Sequence, residues 1–382
     1  MKEIGPTNLE YHYITGSSEL DKAVAALSTC SEIGVDTEGD SLYSYEEQVS
    51  LIQITGGEVN YIFDPLLLDT VKPLGLLFES PSILKIFHGS DYDLVSLKRD
   101  FQFRIGPIFD TALAARAVGI EKFSLQNLLA HFFHVSVSKQ FQKSNWKLRP
   151  LPKKQLDYAS QDTAYLIPLY HLLSGAVKEK GREDQIQEEC RLMEEITWSG
   201  KPFHPDDYLR IKGAKTLPEQ AQKILRELNV VRNQIAKKRN MPSFKVISIA
   251  SLLTMSENPP QDQAALEKLF PKKNSSVIRN RTLWLDAIKE GLSTDVPLPE
   301  KTRNGLPPLT SSQERLLKQL KNWRNNQAKE EGVEPAMVIT SNTLKEIARV
   351  APKTMEALES VPFIRTWQTK RYGECLLKNI SK

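Results

Sequence analysis

Two patterns of apolar and polar positions divide the chain. Up to about residue 90, apolar residues come in short β-rich runs, "EIGVDT", "VSLIQIT", "VNYIFD" and "ILKIFHG", broken by Gly, Asp or Asn. "GGE" between Thr55 and Val59 predicts a hairpin turn joining two of them. The period then lengthens to that of a helix in "DLVSLKRDF", "TALAARAVG" and "SLQNLLAHFF", with Gly119 ending one helix and Ser124 capping the next. "LPKKQLDYASQDTAYLIPLYHLL" predicts one strong helix, with Pro152 near its start and Leu156, Ala159, Leu166, Leu169 and Leu173 on its core face. Strands first, then alternating helix and strand, predict one α/β domain with a mixed sheet flanked by helices, spanning 1–200.

From about 205 the strand signal stops. "PEQAQKILRELNVVRNQIAKKRNMP" predicts an amphipathic helix that ends near Asn240 and Pro242. Residues 293–309, "STDVPLPEKTRNGLPPL", are rich in Pro and polar residues and read as a linker. Beyond them the pattern repeats. Arg232 and Ala236 match Arg324 and Ala328, Pro242 matches Pro335 with one residue of slippage, and Ile247 with Leu252 matches Ile339 with Leu344. One all-α helical module therefore occurs twice, over 205–292 and 310–382.

Charge sharpens this division. Residues 201–382 hold 32 Lys/Arg against 19 Asp/Glu, and residues 1–200 hold 19 against 28. A basic half predicts an arm for a polyanion such as nucleic acid. The acidic half would repel the same polyanion unless cations serve its site. Cys30, Cys190 and Cys375 are far apart and odd in number, which predicts a reducing compartment, no zinc site and buried structural thiols. No apolar run reaches the length of a membrane span, and "MKEIGPTNLEYHYI" lacks the apolar core of a secretory signal.

The candidate chemistry begins at "SEIGVDTEGD". Asp36 and Glu38 alternate on a strand, so both face one spot while Thr37 points away. Either the pair is solvated at a strand end or it holds a cation; one D-x-E does not decide. After "FHGSDYDLVSL" a helix starting near Ser90 makes Asp91 a capping acid and puts Asp93 in the first turn. Tyr158 and Asp162, four apart, share one face of the long helix. Each acid taken singly has an ordinary structural role as a cap or an ion-pair partner.

As a set, in this order, they resemble the DEDD 3′→5′ exonucleases of the tyrosine subclass. "IFDTALAARAVG" and "KQFQKSNWKLRPLP" are similar to ribonuclease D and its exosome-associated relatives, and the repeated module resembles the HRDC domain. One departure is "SNW" at 144–146, where relatives often carry an acid before the Trp. The resemblance implies an RNase H-like exonuclease domain followed by two helical modules. It implies that Asp36, Glu38, Asp93 and Asp162 hold two divalent ions, Mg²⁺ or Mn²⁺, with Tyr158 beside them, and that Asp93 rather than Asp91 is the middle acid. Two such ions, about 3.5–4 Å apart, activate water and stabilise the departing 3′ oxygen in phosphodiester hydrolysis. Tyr158, whose ordinary pKa of about 10 makes it a poor base, is expected mainly to orient the attacking water.

The implied reaction is 3′→5′ exoribonuclease hydrolysis releasing nucleoside 5′-monophosphates. The implied substrate is RNA with a free 3′ end, tRNA precursors among them, cut by a cytoplasmic monomer with no membrane partner. Candidate RNA contacts are Leu42 and Tyr43 after the first motif, His88 at a strand end, Lys139, Gln140 and Arg149 in the later motif, and the basic run Lys237, Lys238 and Arg239. His88 fits a satisfied strand-end histidine equally well, the basic run fits a helix dipole, and Trp146, Trp284, Trp323 and Trp367 fit packing roles. A DNA exonuclease and a non-catalytic nucleic-acid scaffold are the competing functions. A helicase is disfavoured because no G-x-x-x-x-G-K-[ST] loop occurs.

Overall fold

In the computed structural model, which describes residues 10–137, 140–200, 202–270, 276–299 and 307–381, the β-rich runs pair into one sheet. Its strands are β1 (Tyr11–Ile14), β2 (Glu32–Gly39), β3 (Val49–Gly56), β4 (Val59–Phe63), β5 (Leu84–Phe87) and β6 (Ile108–Asp110), ordered β1-β4-β3-β2-β5-β6. β2–β3 and β3–β4 are antiparallel; β1–β4, β2–β5 and β5–β6 are parallel, so the sheet is mixed as expected. The turn between β3 and β4 places Gly57 at φ 62°, where a side chain would be strained.

Around the sheet lie α1 (Ser17–Leu27), α2 (Gly75–Glu79), α3 (Asp91–Phe101), α4 (Thr111–Ala117), α5 (Leu125–Phe133), α6 (Lys153–Ala164), α7 (Leu166–Glu179) and α8 (Glu183–Glu194). Alternation fixes the two faces of the sheet. Ile33, Val35, Ile52 and Ile54 join Leu20, Val24, Leu27, Leu94 and Leu97 of α1 and α3 in one apolar core. Gly34, Asp36, Leu51, Gln53 and Thr55 face the other way, toward α6 and α7. There the Thr55 hydroxyl lies 2.7 Å from that of Thr163, and Leu51 packs with Tyr158 and Ala159. A Cβ on Gly34 would stand 3.0 Å from both the Leu166 Cβ and the Thr163 carbonyl, so glycine lets the α6–α7 junction close onto β2.

The single helix expected over 152–173 is two, broken at Tyr165. Pro168 has no N–H to give the Ala164 carbonyl, and its ring crowds that carbonyl, so the first helix stops there. The core face survives the break: Leu156, Ala159, Leu166, Leu169 and Leu173 are all buried.

The helical modules comprise α9 (Glu219–Lys238), α10 (Ser243–Val246), α11 (Ile249–Glu257), α12 (Gln263–Leu269), α13 (Ser276–Arg279) and α14 (Arg281–Ser293), then α15 (Ser311–Glu331), α16 (Pro335–Val338), α17 (Ser341–Val350), α18 (Met355–Glu359) and α19 (Thr366–Ile380). The repeated residues fill matching positions. Ala236 and Ala328, Ile247 and Ile339, and Leu252 and Leu344 are buried, while Arg232 and Arg324 donate to the Ser243 and Ile339 carbonyls. Trp284 and Trp367 are core residues, and Trp323 packs against the second core.

The chain divides into two units. One contains 1–39, 49–198 and 307–382, and the other contains 40–48 and 199–306. Within the first, the second helical module docks on α8. Buried Arg182 pairs with Glu331, and the Gln185 amide donates to the Met337 carbonyl at 3.2 Å. The Glu188 carboxylate accepts the Thr366 and Trp367 backbone N–H groups at 2.8 and 2.9 Å, serving as an external cap for α19. Within the second unit, the Tyr45 hydroxyl donates to Asn233 at 2.7 Å and Lys245 Nζ sits 3.9 Å from the Tyr43 ring centroid. No helix among the described residues is long and apolar enough to cross a membrane.

Candidate active site

β2 delivers Asp36 and Glu38 to one face, and α6 passes over that face carrying Asp162. Carboxylate oxygens of these three residues all lie within 4.8 Å of one another. Asp93, in the first turn of α3, is not one of these three, but its charge lies near enough to raise the pKa of each, and the Thr37 hydroxyl, on the other face of β2, donates to it at 2.5 Å. Its position depends on Asp110. That carboxylate accepts Gly89 N–H, Ser90 N–H and the Ser90 hydroxyl at 3.1, 2.7 and 2.9 Å, and caps α4 through Ala112 and Leu113. One buried acid thereby fixes the turn that aims Asp93.

Burial raises the pKa of all four acids. Asp36 and Glu38 are pushed well above the carboxylate range by desolvation first and then by the neighbouring acids. Desolvation lifts Asp93 and Asp162 to about 7, against hydrogen bonds from Thr37 and Tyr158 that favour the ionised forms. The main causes of these shifts are burial and neighbouring acids, with no Lys or Arg of the described residues among them. Clustered hard oxygen donors held this way suit a divalent cation of the Mg²⁺ class.

Tyr158 is buried one helical turn before Asp162 and hydrogen-bonds to it. Desolvation and the charges of Asp162, Glu38 and Asp36 raise its pKa, so its phenol keeps its proton. Trp146 and Phe141 hold the ring, each with a centroid 6.1 Å from that of Tyr158. Trp146, 1% exposed, is a packing residue here.

The other sequence-derived candidates lie in varied settings. The His88 ring has Nδ1 2.9 Å from the Thr111 hydroxyl, and burial lowers its pKa against the Asp110 charge. The Arg149 guanidinium pairs with Asp64 and donates to the carbonyls of Trp146, Leu148 and Ser50, which engages all five of its N–H groups. Leu42 is 37% exposed. Lys237, Lys238 and Arg239 are exposed at the end of α9. Lys139 lies outside the described residues.

Thr37, Asp110 and Gln53 were not singled out by sequence. The signal for Asp110 was present, as an Asp ending an apolar run and starting a helix. Thr37 matters through Asp93, 56 residues away in the chain, and the side chain of Gln53 is buried without a hydrogen-bond partner; spacing displays neither.

Comparison with known proteins follows the same lines. Residues 11–178 match the 3′-5′ exonuclease family, and residues 221–288 and 313–380 each match the HRDC domain. The chain is 26% identical to ribonuclease D of Bartonella henselae, over 94% of this chain and 88% of that one. It is 28% identical to Protein RRP6-like 1 of Arabidopsis thaliana over 76% of this chain, and there it spans only 48% of the relative's length. Its fold superposes on Escherichia coli RNase D, an exoribonuclease involved in structured RNA processing. The TM-score is 0.70 over 97% of this chain and 99% of that one, at 22% identity.

Proposed function

The chain belongs to the ribonuclease D family of 3′-5′ exonucleases with HRDC domains, and from that premise we propose that it shortens RNA from a free 3′ end, tRNA precursors included. The observation that carries this reading is the set of converging, desolvated carboxyls with a protonated phenol beside them. Asp36, Glu38, Asp93 and Asp162 would hold the divalent ions, Mg²⁺ or Mn²⁺, which when bound would supply Lewis acidity toward the attacking water and the departing 3′ oxygen. Water oxygen bonds to the last phosphorus, the bond from that phosphorus to the preceding 3′ oxygen breaks, and the 3′ oxygen leaves with a proton. The product is a nucleoside 5′-monophosphate.

Tyr158 orients the water by a hydrogen bond. Its raised pKa favours the donor role over that of a base. The catalytic domain is 1–200, the helical modules are 205–292 and 310–382, and 293–309 links them. Leu42, Lys237, Lys238 and Arg239 retain exposed surface for RNA. Arg149 touches RNA only by giving up a protein bond. Three free cysteines fit a monomer working in the reducing cytoplasm.

The test is incubation of 5′-end-labelled single-stranded RNA and matched DNA with Mg²⁺ or Mn²⁺, and with EDTA. Stepwise shortening of RNA from the 3′ end, abolished by EDTA, is expected. Faster loss of DNA would reassign the substrate. RNA binding without shortening under either ion would leave a scaffold.

A further inference from the structure

Gln53 sits at the centre of the sheet with no exposed surface, and neither its side-chain nitrogen nor its side-chain oxygen has a hydrogen-bond partner. Burying a primary amide unpaired is costly, and a native core rarely retains one without a use. Its surroundings are defined by register. Gln53 stands directly opposite Asp36 across the β2–β3 pair and opposite Ile62 across the β3–β4 pair. Directly opposed residues of antiparallel strands project to the same face, with Cβ atoms about 4.5–5.5 Å apart. Along its own strand the same face carries Leu51 and Thr55, and the Thr55 hydroxyl already engages Asn60 and Thr163. Of these four flanking positions, Asp36 alone is ionisable. The unpaired amide thus adjoins the carboxyl cluster on the face where Asp36, Glu38 and Asp162 converge.

We propose that Gln53 is a positioning residue for the cation-binding carboxylates: its amide N–H donates to the Asp36 carboxylate and holds that carboxylate in one orientation. The inference rests on the reading that these acids bind divalent cations. Asp36 has two carboxylate oxygens, so one accepts from the amide while the other faces the cation site. An apolar side chain at 53 would remove an unpaired buried amide from the core, which costs the fold little.

The experiment compares wild type with Gln53→Met, an unbranched apolar replacement of similar length. Mn²⁺ binding to metal-stripped protein is measured by the EPR signal of free Mn²⁺, beside melting temperature in EDTA. Mn²⁺ affinity is expected to fall about 10–100-fold, the usual cost of losing a group that orients a metal ligand. The metal-free melting temperature is expected to stay level or rise. Unchanged Mn²⁺ affinity, or a lower metal-free melting temperature, overturns the role. A wild type that binds no Mn²⁺ overturns the cation reading as well, whereas equal binding by both proteins removes only Gln53. If Gln53→Met does not fold, wild type decides: the Gln53 side-chain amide resonance must shift on Mg²⁺ titration, and a static resonance overturns the inference.

Discussion

Asp93 and Asp162, proposed as ligands of a divalent ion, are unwelcome to the fold. Their pKa values stand near 7 in the folded chain and near 3.8 when solvated. Below about pH 4 both states are protonated. Between about 4 and 7 the folded chain binds more protons, so stability falls as pH rises through that window. In EDTA, Asp162→Asn is therefore expected to be more stable than the parent at pH 7, by about 1–3 kcal/mol, with the gap closing toward pH 4. The same substitution, like Asp93→Asn, is expected to abolish turnover. Thermal melts across pH beside an RNA assay check both halves; a less stable Asn variant at pH 7 would contradict the desolvation account. Tyr158→Phe is expected to slow single turnover about 100-fold while leaving Mn²⁺ affinity unchanged, and equal turnover would remove the water-orienting role. Local spacing made Asp36 with Glu38 and Tyr158 with Asp162 legible as facing pairs, while their grouping into one site and the choice of Asp93 over Asp91 came only through the family resemblance. Thr37 was not legible, and Asp110 was legible as a helix cap but not as the acid that binds Gly89 and Ser90, since both contacts are made only by the parallel pairing of strands.

At the scale of elements, the Trp146–Leu151 stretch that braces Tyr158 depends on one ion pair. Asp64 is fully buried and receives Arg149 through two N–H groups, at 2.5 and 2.7 Å, as well as the Tyr13 hydroxyl. Asp64→Ala strands the Arg149 charge and is expected to cost about 3–5 kcal/mol in urea denaturation. A loss under about 1 kcal/mol would mean that the carbonyl bonds of Arg149 suffice. The four inner strand runs and the duplicated helices were readable from period alone. β1 and β6, four and three residues long, are too short to display one. The α6–α7 break was written in Pro168, but an apolar face continuous across it concealed the interruption.

On the scale of the whole molecule, the sequence shows two copies of one module but gives no sign of which segments join which unit. The second copy joins the catalytic unit through contacts between α8 and residues 331–371, which are remote in sequence. Glu188→Ala uncaps the start of α19. It is expected to cost about 1 kcal/mol and to speed hydrogen exchange at Thr366 and Trp367. Unchanged exchange at those two amides would show that the cap carries no protection.

The catalytic unit closes with residues 307–382, which are made after 199–306 have been made for the other unit. On the ribosome, the α8 surface bearing Arg182, Gln185 and Glu188 therefore emerges more than a hundred residues before its partners around 331–367 are translated. During that interval the Arg182 guanidinium, buried in the folded chain, stands open to solvent and to chaperones. A premature stop between residues 200 and 331 would leave it so.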